Sequence, residues 1–191
     1  MTRTADIVDE FASTEIRTLL TGKKCWCAFS TFASTVGLDM GRKIRRERPL
    51  RHVPATAKNR EYMGEAHVVI WCSWRLEHSG VPLVSSDADG TTCETQLRKV
   101  VGRSVRSVDV SSSWDLRILF SGGFSLYAFP DHVGNDADFD GNWELWTPDQ
   151  AYLIGTDLSC EVMDREENRP MHLPPRRERW QANVSRQHRK T

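Results

Sequence analysis

The chain contains no stretch of 18 consecutive apolar residues, so no membrane-spanning helix and no membrane partner is expected. Its N-terminus, MTRTADIVDEF, lacks the apolar core of a secretory signal, which points to a cytoplasmic protein. Cysteine is scarce and odd in number, at positions 25, 27, 72, 93 and 160. Without an export signal, most of these thiols are expected to be reduced and buried. Metal spacings are missing as well. The six histidines, at 52, 67, 78, 132, 172 and 188, show neither H-x-x-x-H nor H-E-x-x-H, and Cys25-x-Cys27 has no second pair, which argues against zinc. G-x-S-x-G, Walker-type and dinucleotide fingerprints are absent too.

Net charge is zero over 191 residues, yet it is segregated. Residues 42–60 hold eight basic residues and one acid, a net +7. Residues 131–167 hold eleven acids and one Arg, a net −10, and residues 169–191 hold seven basic residues and one acid, a net +6. Such blocks either attract each other within the fold or meet a partner of opposite sign.

The hydrophobic period reads as one helix over 4–21, with Ile7, Val8, Phe11, Ile16, Leu19 and Leu20 on its apolar stripe and Gly22 as its stop. A second helix is expected over 92–101, opened by a capping box at Thr91-x-x-Glu94 and ended at Gly102. Alternation predicts strands at 23–30, 36–40, 82–85, 104–110, 114–120, 123–129, 142–147, 151–155 and 158–163. Residues 65–76 read as a strand pair or one bent strand, and Cys25 and Cys27 are expected on one strand face. Trp74 and Trp143 are expected in the core, with Trp26 and Trp146 on the opposite faces.

Two stretches echo one another: helix, Leu20-Thr-Gly22-Lys23, strand, and helix, Val100-Val-Gly102-Arg103, strand. Trp74-Arg-Leu76 likewise parallels Trp143-Glu-Leu145. The expectation is an α+β fold of two pseudo-repeats, each one helix followed by an antiparallel sheet, at 1–90 and 91–163, sharing a core. A basic, flexible tail follows over 164–191.

The sharpest chemical motif is Asp136-Ala-Asp138-Phe-Asp140-Gly141, the opening of a calcium loop, with Asn142 and Glu144 at its seventh and ninth positions. Thr147 stands where an EF-hand needs Glu, and the flanks read as strands. The three aspartates are therefore calcium candidates in a loop that more simply reads as a solvated acidic hairpin. Asp131 beside His132 is a possible acid–base pair without an assignable nucleophile, so no catalytic residue is assigned and no cofactor is required.

The pattern W-x-L-x-x-x-F-x-x-G…L-x-x-F-P-D…N-W-E-L-x-x-P-D…L-x-x-G, from Trp114 to Gly155, resembles small uncharacterised bacterial β-rich domains. These are associated with toxin-immunity neighbourhoods and with orphan genes. The resemblance covers mainly residues 97–160 and carries no functional residue over. The role expected is a non-enzymatic, immunity-like binding module that presents Asp131, Asp136, Asp138, Asp140, Glu144 and Trp146 to a protein partner with a basic surface. Two alternatives stand beside it. One is a nucleic-acid-associated protein using the basic loop 42–60, with Arg45, Arg46 and Arg48, and the basic tail, with Arg176, Arg177 and Arg179. The other is a divalent-metal enzyme at the 131–144 loop.

Overall fold

The computed structural model describes residues 4–31, 35–50, 57, 59–133 and 141–164, with side chains from Glu10 onward. In chain order the elements are α1 (Thr4–Leu20), β1 (Cys25–Ser30), β2 (Val36–Arg45), β3 (Tyr62–Ile70), β4 (Ser73–His78), β5 (Val81–Ser85), α2 (Gly90–Leu97), β6 (Val105–Val110), β7 (Leu116–Phe120), β8 (Phe124–Phe129), β9 (Trp143–Trp146), β10 (Gln150–Ile154) and β11 (Cys160–Asp164). A short 3₁₀ turn, Arg98–Val100, extends α2.

The expected α+β fold of two helix-plus-sheet repeats is not what forms. Among the described residues the protein is β-rich, 50% strand against 16% helix, and neither half owns a sheet. One six-stranded antiparallel sheet runs β1-β2-β3-β9-β10-β11, and a five-stranded one runs β5-β4-β8-β7-β6. Each therefore takes three strands from one half of the chain and completes itself with strands from the other. The chain crosses between sheets at Trp71-Cys72, where the apolar run read as a strand pair or one bent strand divides into β3 and β4, and again between Phe129 and Trp143.

The reason lies in the apolar edges. Val68 and Ile70 on β3 pair with Leu145 and Trp143 on β9, while Leu126 and Ala128 on β8 pair with Leu76 and Trp74 on β4. Each crossing buries a Trp: Trp74 and Trp143 are 1% and 0% exposed. Both sheets turn their inner rows into one apolar core, and Trp143 meets Trp114 edge-on at 6.4 Å while its Nε1 donates to the Trp114 carbonyl at 2.7 Å. Burying side chains of this size contributes about 1.5–3 kcal/mol each or more.

The helices close the gaps between sheet edges. α1 lies against β6 and β11, and α2 lies against β1 and β5. From α1, Ala12, Ile16 and Leu20 are buried, whereas Phe11, assigned above to the apolar stripe, is 61% exposed. Arg17 Nη2 donates to the Val110 carbonyl, and Tyr152 donates its hydroxyl to Glu15. The cap of α2 is Asp89 rather than Thr91. Its carboxylate accepts from the N–H groups of Thr91 and Thr92, and an ionised Asp suits the positive end of the helix.

At one end of the molecule the edges of the two sheets are stitched together around an antiparallel bridge between Lys24 and Ser104. The backbone bonds there come in pairs 80 residues apart. Gly22 N–H donates to the Val105 carbonyl and Gly102 N–H to that of Cys25. Cys25 N–H donates to Arg103 and Val105 N–H to Lys23, and Gly41 N–H donates to Lys24 as Ser121 N–H does to Ser104. Both first strands also carry a bulge at matched places, Cys25/Cys27 and Val105/Ser107. The bulge overturns one expectation: Cys25 pairs with Met40 in the core, but Cys27 pairs with Asp39 on the outer face, because one extra residue reverses the alternation.

Candidate interaction site

The stretch between β8 and β9 leaves one sheet and enters the other. Its described parts, through Val133 and from Gly141, are gathered by Asn142, which is 0% exposed. Asn142 Oδ1 accepts from His132 N–H at 3.1 Å, and Nδ2 donates to the carbonyls of His132 at 3.1 Å and Gly155 at 2.9 Å. Its backbone carbonyl accepts from both Trp71 and Cys72, and its N–H donates to Ile154. One residue, through its amide and its backbone, thus ties the β3–β4 crossing, both roots of the acidic stretch and the β10–β11 turn. In a buried setting every one of those bonds replaces water that is no longer available.

Asp131 forms a second clamp. Its Oδ1 accepts from Ser73 N–H at 3.1 Å and its Oδ2 from the Ser73 hydroxyl. Burial works to raise this carboxyl, but the Ser73 bonds and the neighbouring His132 outweigh it and hold Asp131 below the ordinary carboxylate value. His132, paired with it above as an acid–base candidate, donates from Nε2 to the Trp71 carbonyl at 3.2 Å. Both side chains are thus engaged in joining the two crossings.

Glu144 and Trp146 sit elsewhere. Both lie on the outer face of the six-stranded sheet, where Trp146 Nε1 donates to Glu144 at 2.7 Å. Glu144 is only 5% exposed and Trp146 is half-buried. Trp146 pairs with His67 rather than with the root of the loop, about 10 Å further along the strand. Asp136, Asp138 and Asp140 lie outside the described residues, so the calcium-loop motif can be followed only at its later positions. There the Asn142 carbonyl already serves two N–H groups and Glu144 already holds Trp146. No cluster of three potential metal-ligating side chains occurs among the described residues.

Of the basic candidates, Arg45 and Arg48 are exposed, and Arg46 donates from Nε to the Asn59 carbonyl at 3.2 Å. Arg176, Arg177 and Arg179 lie outside the described residues. None of the five cysteines forms a disulfide. Burial, followed by the charge of neighbours, pushes the thiols of Cys25 and Cys72 up to about 12, which leaves them protonated and poor nucleophiles. The described residues contain no helix long and apolar enough to cross a membrane.

Two features had no signal in the sequence. On the outer face of the six-stranded sheet, Asp39 is fully buried, with Oδ1 accepting from Gly64 N–H and from His67 Nδ1, both at 2.8 Å. This joins β2 to β3 beside the bulge between Met40 and Lys43, where the backbones come so close that a Cβ on Gly64 would lie 2.5 Å from Met40 N. On the outer face of the other sheet, Tyr127 stands between Arg75 and Arg117, whose guanidinium carbons lie 5.3 and 5.6 Å from its ring centre. These partners lie on different strands, so their spacing in sequence carries no trace of the contact.

Several charges are sorted along the strand axes, although Asp149 and Asp164 stand on the same side as the cations. Asp115, Asp131 and Asp157 stand on turns at the end where Ile70 meets Trp143. Lys24, Lys43 and Arg103 stand at the far end, beyond Gly64 on β3. From Gly64 to Ile70 is about 20 Å of strand. Comparison of the chain with protein families, with characterised proteins and with solved structures gives no match, so the functional reading rests on this geometry alone.

Proposed function

We propose that the protein is a non-enzymatic, immunity-like binding module whose acidic end contacts a basic protein surface. The Asn142 hydrogen-bond knot carries this reading. It fixes both roots of a carboxylate-rich stretch to the β3–β4 crossing and the β10–β11 turn, so a partner meets charges whose attachment points are already ordered. Asp115, Asp131 and Asp157 extend the same polarity, and the sequence adds Asp136, Asp138 and Asp140 between the roots. Acidic surfaces of this kind raise the association rate with basic partners and lower it with acidic ones. The buried, protonated thiol of Cys72 and a His132 engaged with the Trp71 carbonyl favour a binding role over chemistry at this end.

The test is a triple charge reversal, Asp136→Lys, Asp138→Lys and Asp140→Lys, in the full chain. A protein partner captured from host lysate by the wild type should be lost by the variant. Its association rate with the purified wild type should fall about tenfold or more on moving from low to physiological salt. Retention of every captured protein at an unchanged rate would refute the reading.

A further inference from the structure

The opposite end of the molecule carries a charged surface that the acidic-end reading does not use. At the Lys24–Ser104 bridge the backbone ladder brings four separate segments together: 22–25, 41–43, 98–106 and the β7–β8 turn. Lys24, Arg42, Lys43, Lys99, Arg103 and Arg106 project from these segments, and all six are exposed. Two nearby acids are already engaged. Glu65 takes Lys23 and lies 3.7 Å from Arg42, and Glu94 holds Arg98 at 2.6 Å. The Lys23 bond, followed by contacts from Arg42, overcomes the effect of burial and keeps the Glu65 carboxyl below its ordinary value, so it stays ionised and spent on that pair. The surface is left with a clear excess of positive charge.

We infer that this basic end binds the phosphate backbone of double-stranded nucleic acid. The alternative nucleic-acid surface considered from sequence, the basic loop 42–60 with the tail, shares only Arg42 and Lys43 with it. Three observations choose the partner. The cations come from separate segments held by backbone bonds, so they form an ordered array whose attachment points do not depend on side-chain packing. The rings at the junction are already covered: Lys43 sits 5.0 Å above Trp26, and Arg103 sits 5.5 Å from Phe124, which also stacks on His78. No uncovered ring of that pair is offered to an unstacked base, which is what single-strand recognition requires. A duplex instead presents about one phosphate per 1.7 Å of axis, the densest array for such a surface to neutralise. The acidic far end would repel the same polyanion and so fix which end faces it.

The full-length chain is titrated by fluorescence anisotropy against a short DNA duplex and against one of its strands. The titrations span about 50 to about 200 mM salt. The wild type should bind the duplex more tightly than the single strand, with affinity falling steeply as salt rises. A Lys24→Gln, Lys99→Gln, Arg106→Gln variant changes only exposed side chains and should keep its circular dichroism spectrum and thermal midpoint. Its log–log salt slope should shrink by about 3 and its affinity should drop at least tenfold. A companion variant, Arg176→Gln, Arg177→Gln and Arg179→Gln, separates the tail's contribution and should leave the duplex-over-single-strand preference intact. Duplex binding with an unchanged slope in the first variant would overturn the assignment, as would tighter binding of the single strand or no duplex binding at all. Capture of an acidic protein by this end in place of duplex would also overturn it. Because the triple Asp→Lys reversal touches neither variant set, failure of one proposal leaves the other standing.

Discussion

The two ends of this molecule are held by different kinds of bond. At the acidic end side chains add to the backbone bonds of Asn142: its amide and the Asp131 carboxylate tie in His132, Gly155 and Ser73. At the basic end the joining is done by backbone, through paired N–H to carbonyl bonds flanking Lys24 and Ser104. The difference teaches why cations can crowd one end. Where main-chain groups hold the fold, side chains are released for the surface. Where side chains hold it, a single substitution is felt across several segments.

That contrast is breakable. The largest effect is expected from Asn142→Ala, which orphans the His132 N–H and two carbonyls in a buried site. It should cost about 3 kcal/mol in chemical denaturation. A loss below about 1 kcal/mol would mean the knot is ornamental. Next comes Gly41→Ala at the basic end. Its φ is +75° and a Cβ would fall 2.6 Å from the Glu65 side chain, so about 1–2 kcal/mol should be lost. Here the backbone conformation, not a side chain, is the sensitive part.

Ser73→Ala sharpens the comparison through pH. Asp131 has a lowered pKa in the folded state, so its contribution is complete above the unfolded carboxylate value of about 4. It is lost as pH falls through the lower folded value. The variant should be weaker than wild type by about 1 kcal/mol near neutrality, a figure kept small because solvent screens the partly exposed pair. The gap should close on acidification, and one that widened instead would contradict the assignment. The smallest effect is expected from Lys24→Ser, an exposed side chain on the backbone ladder, within about 0.5 kcal/mol by thermal unfolding.

Much of the local structure was legible. Alternation located the strands, Gly22 marked the end of α1, and Trp74 and Trp143 read as core because each shares a strand face with a Leu. What could not be read is which strand pairs with which. Val68 and Ile70 advertise a buried edge but not that β9 will cover it, since pairing depends on neighbours far along the chain. Asn142 reads as a turn residue or a calcium carbonyl, because its six bonds go to residues scattered from 71 to 155. The reversal of Cys25 and Cys27 was hidden for another reason: a bulge adds one residue without altering the pattern of residue types around it. The acidic stretch was visible as a block of charge, whereas the basic end was visible only in part: Arg42 and Lys43 belong to the 42–60 block, but Lys24, Lys99, Arg103 and Arg106 join them from other segments.

The crossed sheets also set a schedule for the newborn chain. As it leaves the ribosome, β1, β2 and β3 can zip together early, yet the bare flank of β3 must wait from Ile70 until Trp143 has been made before its covering strand exists. Throughout that interval Val68 and Ile70 border an unclaimed row of peptide groups, the kind of ledge on which neighbouring chains can condense. Translation pauses or chaperone capture in this window should therefore govern yield in the cell more than the stability of the finished protein does.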